Sequence, residues 1–192
     1  MGRDKLPLRV GGIPLVRRVC ETLGGVCEEV ILVSAGEGVP GEVPEGVRPA
    51  RDLRGTEGEG LGPLAGMEAG LSAASHPAVF VAAGDVPFLP GGMVRLLLRR
   101  VLEDGVTAAV PVSGGRMQPL CAAYSRRDAL PAVSAALDGG VRAVHRMVEG
   151  LGGVEYVEEL RAFGDPELFL MNVNSPEDLE RARARSGGTA DR

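Results

Sequence analysis

The chain has 192 residues, 44% of them hydrophobic, with 26 acidic side chains against 21 basic ones and a net charge of −5. That length suits one domain with a substantial core, while the acidic balance, with only two Tyr, four Phe and no Trp, excludes a basic, aromatic-studded nucleic-acid surface. No apolar run approaches the ~20 residues of a membrane helix, no signal-peptide pattern opens the chain, and Cys20, Cys27 and Cys121 are too widely spaced for a zinc site or a disulfide framework, so free thiols in a reducing cytoplasm are expected.

In chain order, Gly11-Gly12 make a turn. Ile13, Val16, Val19, Cys20 and Leu23 then recur at helical spacing, and Gly24-Gly25 close that helix. Val30 to Val33 is a β-branched run ending in Ser34, read as a buried strand. Residues 36–46 are rich in Gly, Pro and Glu, hence a loop. Val47 to Ala50 forms a short strand with Arg51-Asp52 at its carboxyl end. Residues 54–62 hold four glycines with Glu57 and Glu59 between them; the carboxylates and the missing GK[ST] ending exclude a P-loop. Pro63 opens a helix with Leu64, Met67 and Leu71 on one face, and Gly66, Ala69, Gly70 and Ala73 give it small residues for close packing on a sheet. Val79 to Ala83 is an apolar run closed by Gly84-Asp85-Val86-Pro87, which reads as a strand buried on both faces. A helix through Met93, Leu97 and Val101 follows. Val106 to Val112 is a strand, and Cys121 to Tyr124 one antiparallel to its neighbour. Asp128 to Leu137 and Val141 to Val148 are helical, and Val154 to Val157 alternates as an edge strand. Phe169 to Asn174 is read as a last strand, and Ser175-Pro176-Glu177-Asp178 as a capped helix start.

Alternating strands and helices predict an α/β fold, a three-layer α/β/α sandwich with a Rossmann-like, mostly parallel sheet. One domain is expected over residues 1–185, with a flexible tail at 186–192. In such sheets ligands bind beyond the carboxyl ends of the strands. Ser34, Asp52, Asp85, Asn172 and Asn174 all stand at predicted strand ends. With parallel strands they converge on one rim, where Asp85 and an asparagine offer oxygens to a Mg²⁺ completed by water and phosphate. The same residues also serve as turn formers, and Asp85 as a cap for the helix after Pro90. His76 and His145 read as structural, and no Ser-His-Asp or Cys-His set stands out.

The motifs resemble those of nucleotidyltransferases of the molybdenum cofactor guanylyltransferase (MobA-like) family. Met1-Gly2-Arg3-Asp4-Lys5 with Leu6-Pro7-Leu8 resembles the second half of its R-M-G-x-x-K signature, and Gly12-Ile13-Pro14-Leu15 its G-x-P-L. Asp52 followed by Gly62-Pro63-Leu64-Ala65-Gly66 resembles D…GPLAG. Gly84-Asp85-Val86-Pro87-Phe88-Leu89 is similar to C-D-x-P-F-L, with Gly for Cys. Gln118-Pro119-Leu120 and residues 172–179 resemble the later P-L and N-V-N-T-P-E-D-L motifs. The resemblance implies the nucleotide-diphospho-sugar transferase fold and transfer of GMP from GTP to molybdenum-loaded molybdopterin, with release of pyrophosphate. It implies that Asp85 holds Mg²⁺, that Lys5 neutralises phosphate charge, that Ser34 and Asp52 contact the nucleotide, and that Asn172 and Asn174 lie on the pterin or metal side. Molybdoenzyme chaperones or other cofactor-biosynthesis proteins are the partners it implies; neither nucleic acid nor membrane is expected.

The sequence departs from the family pattern at its start. The family's first strand and glycine-rich loop, L-A-G-G-x-S-x-R, precede the methionine that Met1 matches, and low activity is expected of the chain as written. Two alternatives share most motifs: a CTP-dependent cytidylyltransferase acting on molybdopterin or a small alcohol phosphate, and a nucleotide-binding relic without transfer activity.

Overall fold

The computed structural model describes residues 9–10, 12–34, 43–51, 54, 62–175 and 177–181. Lys5, Asp52, most of the glycine-rich stretch and the 186–192 tail lie outside the described residues. A small antiparallel hairpin, β1 (Arg9–Val10) and β2 (Ile13–Pro14), turns at Gly12, whose φ of 81° suits glycine. It leads into α1 (Leu15–Gly24). β3 (Ile31–Ser34) and β4 (Arg48–Arg51) pair in parallel, with Ser34 opposite Arg51. Then follow α2 (Pro63–Ala73), β5 (Ala78–Ala82), α3 (Gly91–Glu103), β6 (Ala108–Ser113), β7 (Arg116–Met117), β8 (Cys121–Ser125), α4 (Arg126–Asp138), α5 (Val144–Glu149), β9 (Val154–Val157) and α6 (Pro166–Phe169).

β8 lies between β5 and β6 and is antiparallel to both, so β5 and β6 point the same way; β9 adds in parallel to β6. Side chains alternate across this sheet as the strand period requires. Ala108, Val110, Ala122 and Tyr124 pack under α2, α4 and α5 through Leu64, Leu71, Val133 and Met147. Ala109, Cys121 and Ala123 face the other way, against Met93, Val94 and Leu97 of α3 and Val19 of α1. Helices therefore cover both faces, and Ala108, Ala109, Ala122 and Ala123 of β6 and β8 let them approach closely. On α2 the backbones of Gly66 and Gly70 lie against Val33 of β3; a Cβ at Gly70 would stand 3.5 Å from a Val33 methyl. That close contact is how β3 is carried by α2.

Three expectations differ from the structure. The run 169–174 is not a strand: Phe169 ends α6, and 171–174 carry no regular structure. Asp165 accepts a hydrogen bond from the Glu167 N–H at 3.0 Å with Pro166 at the first helical position, so a helical turn forms where the apolar run alone suggested β. α5 starts at Val144, three residues later than the periodicity suggests, because Ala143 is extended (ψ 121°). β5 is half-buried along its length rather than buried. Among the described residues it pairs only with β8, and β3 only with β4, and the two strands face one another across a cavity of about 830 Å³.

Candidate active site

β5 delivers Asp85. The Ala83 N–H donates to the Leu120 carbonyl at 2.8 Å, and Gly84-Asp85 then turn the chain. Val86, fully buried, and Leu89 bolt the far side of that turn into the core. The N-cap of α3 is Pro90, five positions beyond Asp85. The Asp85 Oδ1 is shut off from solvent. Burial pushes the neighbouring Cys121 thiol up to about 12; the Ala83 N–H opposes that and the Asp85 charge adds to it. Cys121 is therefore inert at neutral pH, a packing residue beside the carboxylate.

A second segment meets this turn. The Val173 N–H donates to the Asp85 carbonyl at 2.8 Å. Val173 is buried with Val10, Leu15 and Leu179, while Asn172 and Asn174 on either side of it are exposed. The Ser175 hydroxyl accepts from the Asp178 N–H, and the Asp178 carboxylate accepts from the N–H groups of Asn174 and Ser175 at 3.1 and 3.0 Å. This reciprocal cap fixes where Asn174 enters the helical residues 177–181. The backbone N–H of Asn174, Ser175 and the Arg181 guanidinium, outweighing slight desolvation, hold the Asp178 carboxyl below its ordinary value. Since the cap uses the backbone of Asn174, Asn174→Ala should leave the melting temperature within about 2 °C while turnover falls about tenfold. Side-by-side melting curves and pyrophosphate-release rates check this; lost stability at unchanged turnover would make Asn174 a helix-entry residue only.

The structure brings Ser34 and Asp85 to the rim of the same 830 Å³ cavity, on β3 and at the end of β5. Val173 lines it too. A second cavity, of about 590 Å³, gathers Gly62 before α2, Gln118, Arg142, His145 and Asn172. Pro63 and Leu120 line both cavities. The second one carries two basic side chains and no acidic one among its described lining residues. Arg142 is held by the Leu137 and Val141 carbonyls at 3.2 and 3.3 Å, and a guanidinium with five donors keeps others for a ligand. His145 is exposed at the start of α5. Sequence reading passed over Arg142 and took His145 as structural. Four segments distant along the chain converge here, and no local spacing announces it. Among the described residues no group of three His, Cys, Asp or Glu could form a metal cage. A single sheltered carboxylate beside an asparagine-bearing segment suits a hard cation that brings its own phosphate and water ligands.

An α/β sheet covered by helices on both faces, with polar side chains gathered beyond its strand ends, is the architecture this chain shares with nucleotidyltransferases of the nucleotide-diphospho-sugar transferase type. The chain belongs to the family of the MobA-like NTP transferase domain, whose model matches residues 1–154. It is 36% identical to a probable molybdenum cofactor guanylyltransferase of Pelotomaculum thermopropionicum, with 95% of this chain and 85% of that one covered. It is similar to the crystal structure of molybdopterin-guanine dinucleotide biosynthesis protein A from Archaeoglobus fulgidus at 26% identity and a TM-score of 0.76, over 98% of this chain and 93% of that one. The 2-C-methyl-D-erythritol 4-phosphate cytidylyltransferase of Thermus thermophilus shares the fold at 23% identity and a TM-score of 0.72, over 97% and 95% of the two chains. No helix among the described residues is long and apolar enough to cross a membrane.

Proposed function

We propose that this chain transfers GMP from GTP to the terminal phosphate of molybdopterin, giving the guanine dinucleotide form of the molybdenum cofactor and pyrophosphate. The observation that supports the reading is the bond between the Val173 N–H and the Asp85 carbonyl, which ties the turn carrying the carboxylate to the segment that bears Asn172 and Asn174. In the reaction an oxygen of the acceptor phosphate attacks the α-phosphorus of GTP; the bond to the bridging oxygen breaks and pyrophosphate leaves. No protein nucleophile is needed, so positioning and electrostatics carry the rate.

Asp85 would hold Mg²⁺, which would supply charge neutralisation at the triphosphate. Ser34 at the end of β3 takes the nucleotide together with Asp52, and Lys5 offsets phosphate charge. Asn172 and Asn174 face the acceptor. Arg142 and His145 in the 590 Å³ cavity receive the acceptor's anionic end, since a guanidinium forks well onto phosphate.

The test is competition between nucleotides with Mg²⁺ and molybdopterin present. GTP should be preferred over CTP by at least about tenfold, or about 1.4 kcal/mol, with the guanine dinucleotide as product. A reversed ratio moves the chain to the cytidylyl branch, and binding without pyrophosphate release makes it a binding protein.

A further inference from the structure

Arg54 stands in the connection from β4 to α2, and its side chain does not point into either cavity's lining. Instead its guanidinium spans two helices. Nε and Nη2 donate to the two carboxylate oxygens of Glu68 on α2, at 2.5 and 2.7 Å, and Nη1 donates to Asp138, the last residue of α4, at 2.5 Å. The Ser134 hydroxyl, also on α4, donates to Glu68 Oε1 at 2.5 Å. Glu68 is 14% exposed. The Arg54 hydrogen bond is the largest influence holding its carboxyl below the ordinary value; burial opposes it and Ser134 adds to it.

Both chain segments that leave this junction run to the same cavity. From Glu68, α2 runs back to Pro63 and its N-cap Gly62. From Asp138 it passes through the Gly139-Gly140 break to Arg142 and His145. Gly62, Pro63, Arg142 and His145 all line the 590 Å³ cavity, and the open backbone between Asp138 and Arg142 is held by the Gly140 N–H to Leu137 and the Val141 N–H to Ala136. We propose that Arg54 is a positioning residue for nucleotidyl transfer: its fork onto Glu68 and Asp138 sets the spacing between the two walls of the acceptor cavity. This rests on reading that cavity as the acceptor's site. A merely structural role is the ordinary expectation for ion pairs this exposed, which contribute little to stability; a bidentate fork shared across two helices gives geometry rather than stability.

The test uses Arg54→Ala and Arg54→Lys beside the parent. Loss of the fork should raise the KM for molybdopterin about fivefold or more with kcat within about threefold, and Lys should not rescue it, because an ammonium cannot grip both oxygens of Glu68 and reach Asp138. Amide hydrogen exchange, read without substrate, should be about tenfold faster at Gly140 and Val141. Should Arg54→Ala fail to fold, Arg54→Lys carries the same readouts. Unchanged exchange at those two amides overturns the positioning role whatever the kinetics, including the case in which only the melting temperature falls. If the parent does not use molybdopterin, the acceptor reading fails, and the exchange measurement still decides the clamp.

Discussion

Asp85→Asn is expected to lower Mg²⁺-dependent pyrophosphate release by about 100-fold or more, the scale for losing one preorganised charged group in a transfer site. The amide keeps the shape of the carboxylate and removes its charge, so what is lost is attraction for a hard cation rather than packing. The turn should survive. It is held by backbone bonds, Ala83 N–H to Leu120 and Val173 N–H to the Asp85 carbonyl, and by the buried Val86 beyond them. Neutralising the side chain touches none of these. The melting temperature should therefore stay within about 2 °C, which separates loss of chemistry from loss of fold. Titrating Mg²⁺ sharpens the reading: the variant should need more metal for half-maximal rate as well as turning over more slowly. Activity within about threefold of the parent would remove Asp85 from the metal site.

Much of this architecture is legible in the sequence, for reasons that can be stated residue by residue. The strands β3, β5, β6 and β8 are short apolar runs closed by turn formers, and their side-chain alternation sorts Ala108 and Val110 to one face and Ala109 to the other. Gly66 and Gly70 announce a close helix–sheet contact, and they make it against Val33. Ser175 and Asp178 announce a reciprocal cap, and they form it. The misreading at 169–174 has an equally physical origin. Phe169-Leu170-Met171 looks like a strand core, yet Asp165-Pro166 upstream is a helix-start signal of the same kind as Ser175-Pro176.

Convergence is the part that no local pattern carries. Asp85 and Val173 are joined by one backbone bond across 88 positions, and Arg54 and Asp138 by an ion pair across 84. Gly62, Gln118, Arg142 and Asn172 share a cavity only because α2, β8 and α5 begin, and the segment after α6 passes, at one place. Single-sequence reasoning finds the strand-end residues, since strand direction predicts where they point. It does not find Arg142, which follows a helix and a glycine break and belongs to no strand.

Arg142 is therefore where the second large effect is expected. Arg142→Ala should raise the KM for the acceptor about 30-fold or more while kcat stays within about threefold, since a hydrogen bond to a charged partner contributes about 1.5–3 kcal/mol. The residue is exposed and its guanidinium donates to the Leu137 and Val141 carbonyls at a helix end, so truncation opens no core cavity and stability should hold. Arg142→Lys should recover part of the loss, because a point charge still attracts phosphate while the planar fork is gone. The KM for GTP serves as the internal control: it should move by less than about threefold if the cavity belongs to the acceptor. A rise in the KM for GTP with that for the acceptor unchanged would instead give the cavity to the nucleotide, and with it the cation that faces the transferred phosphate.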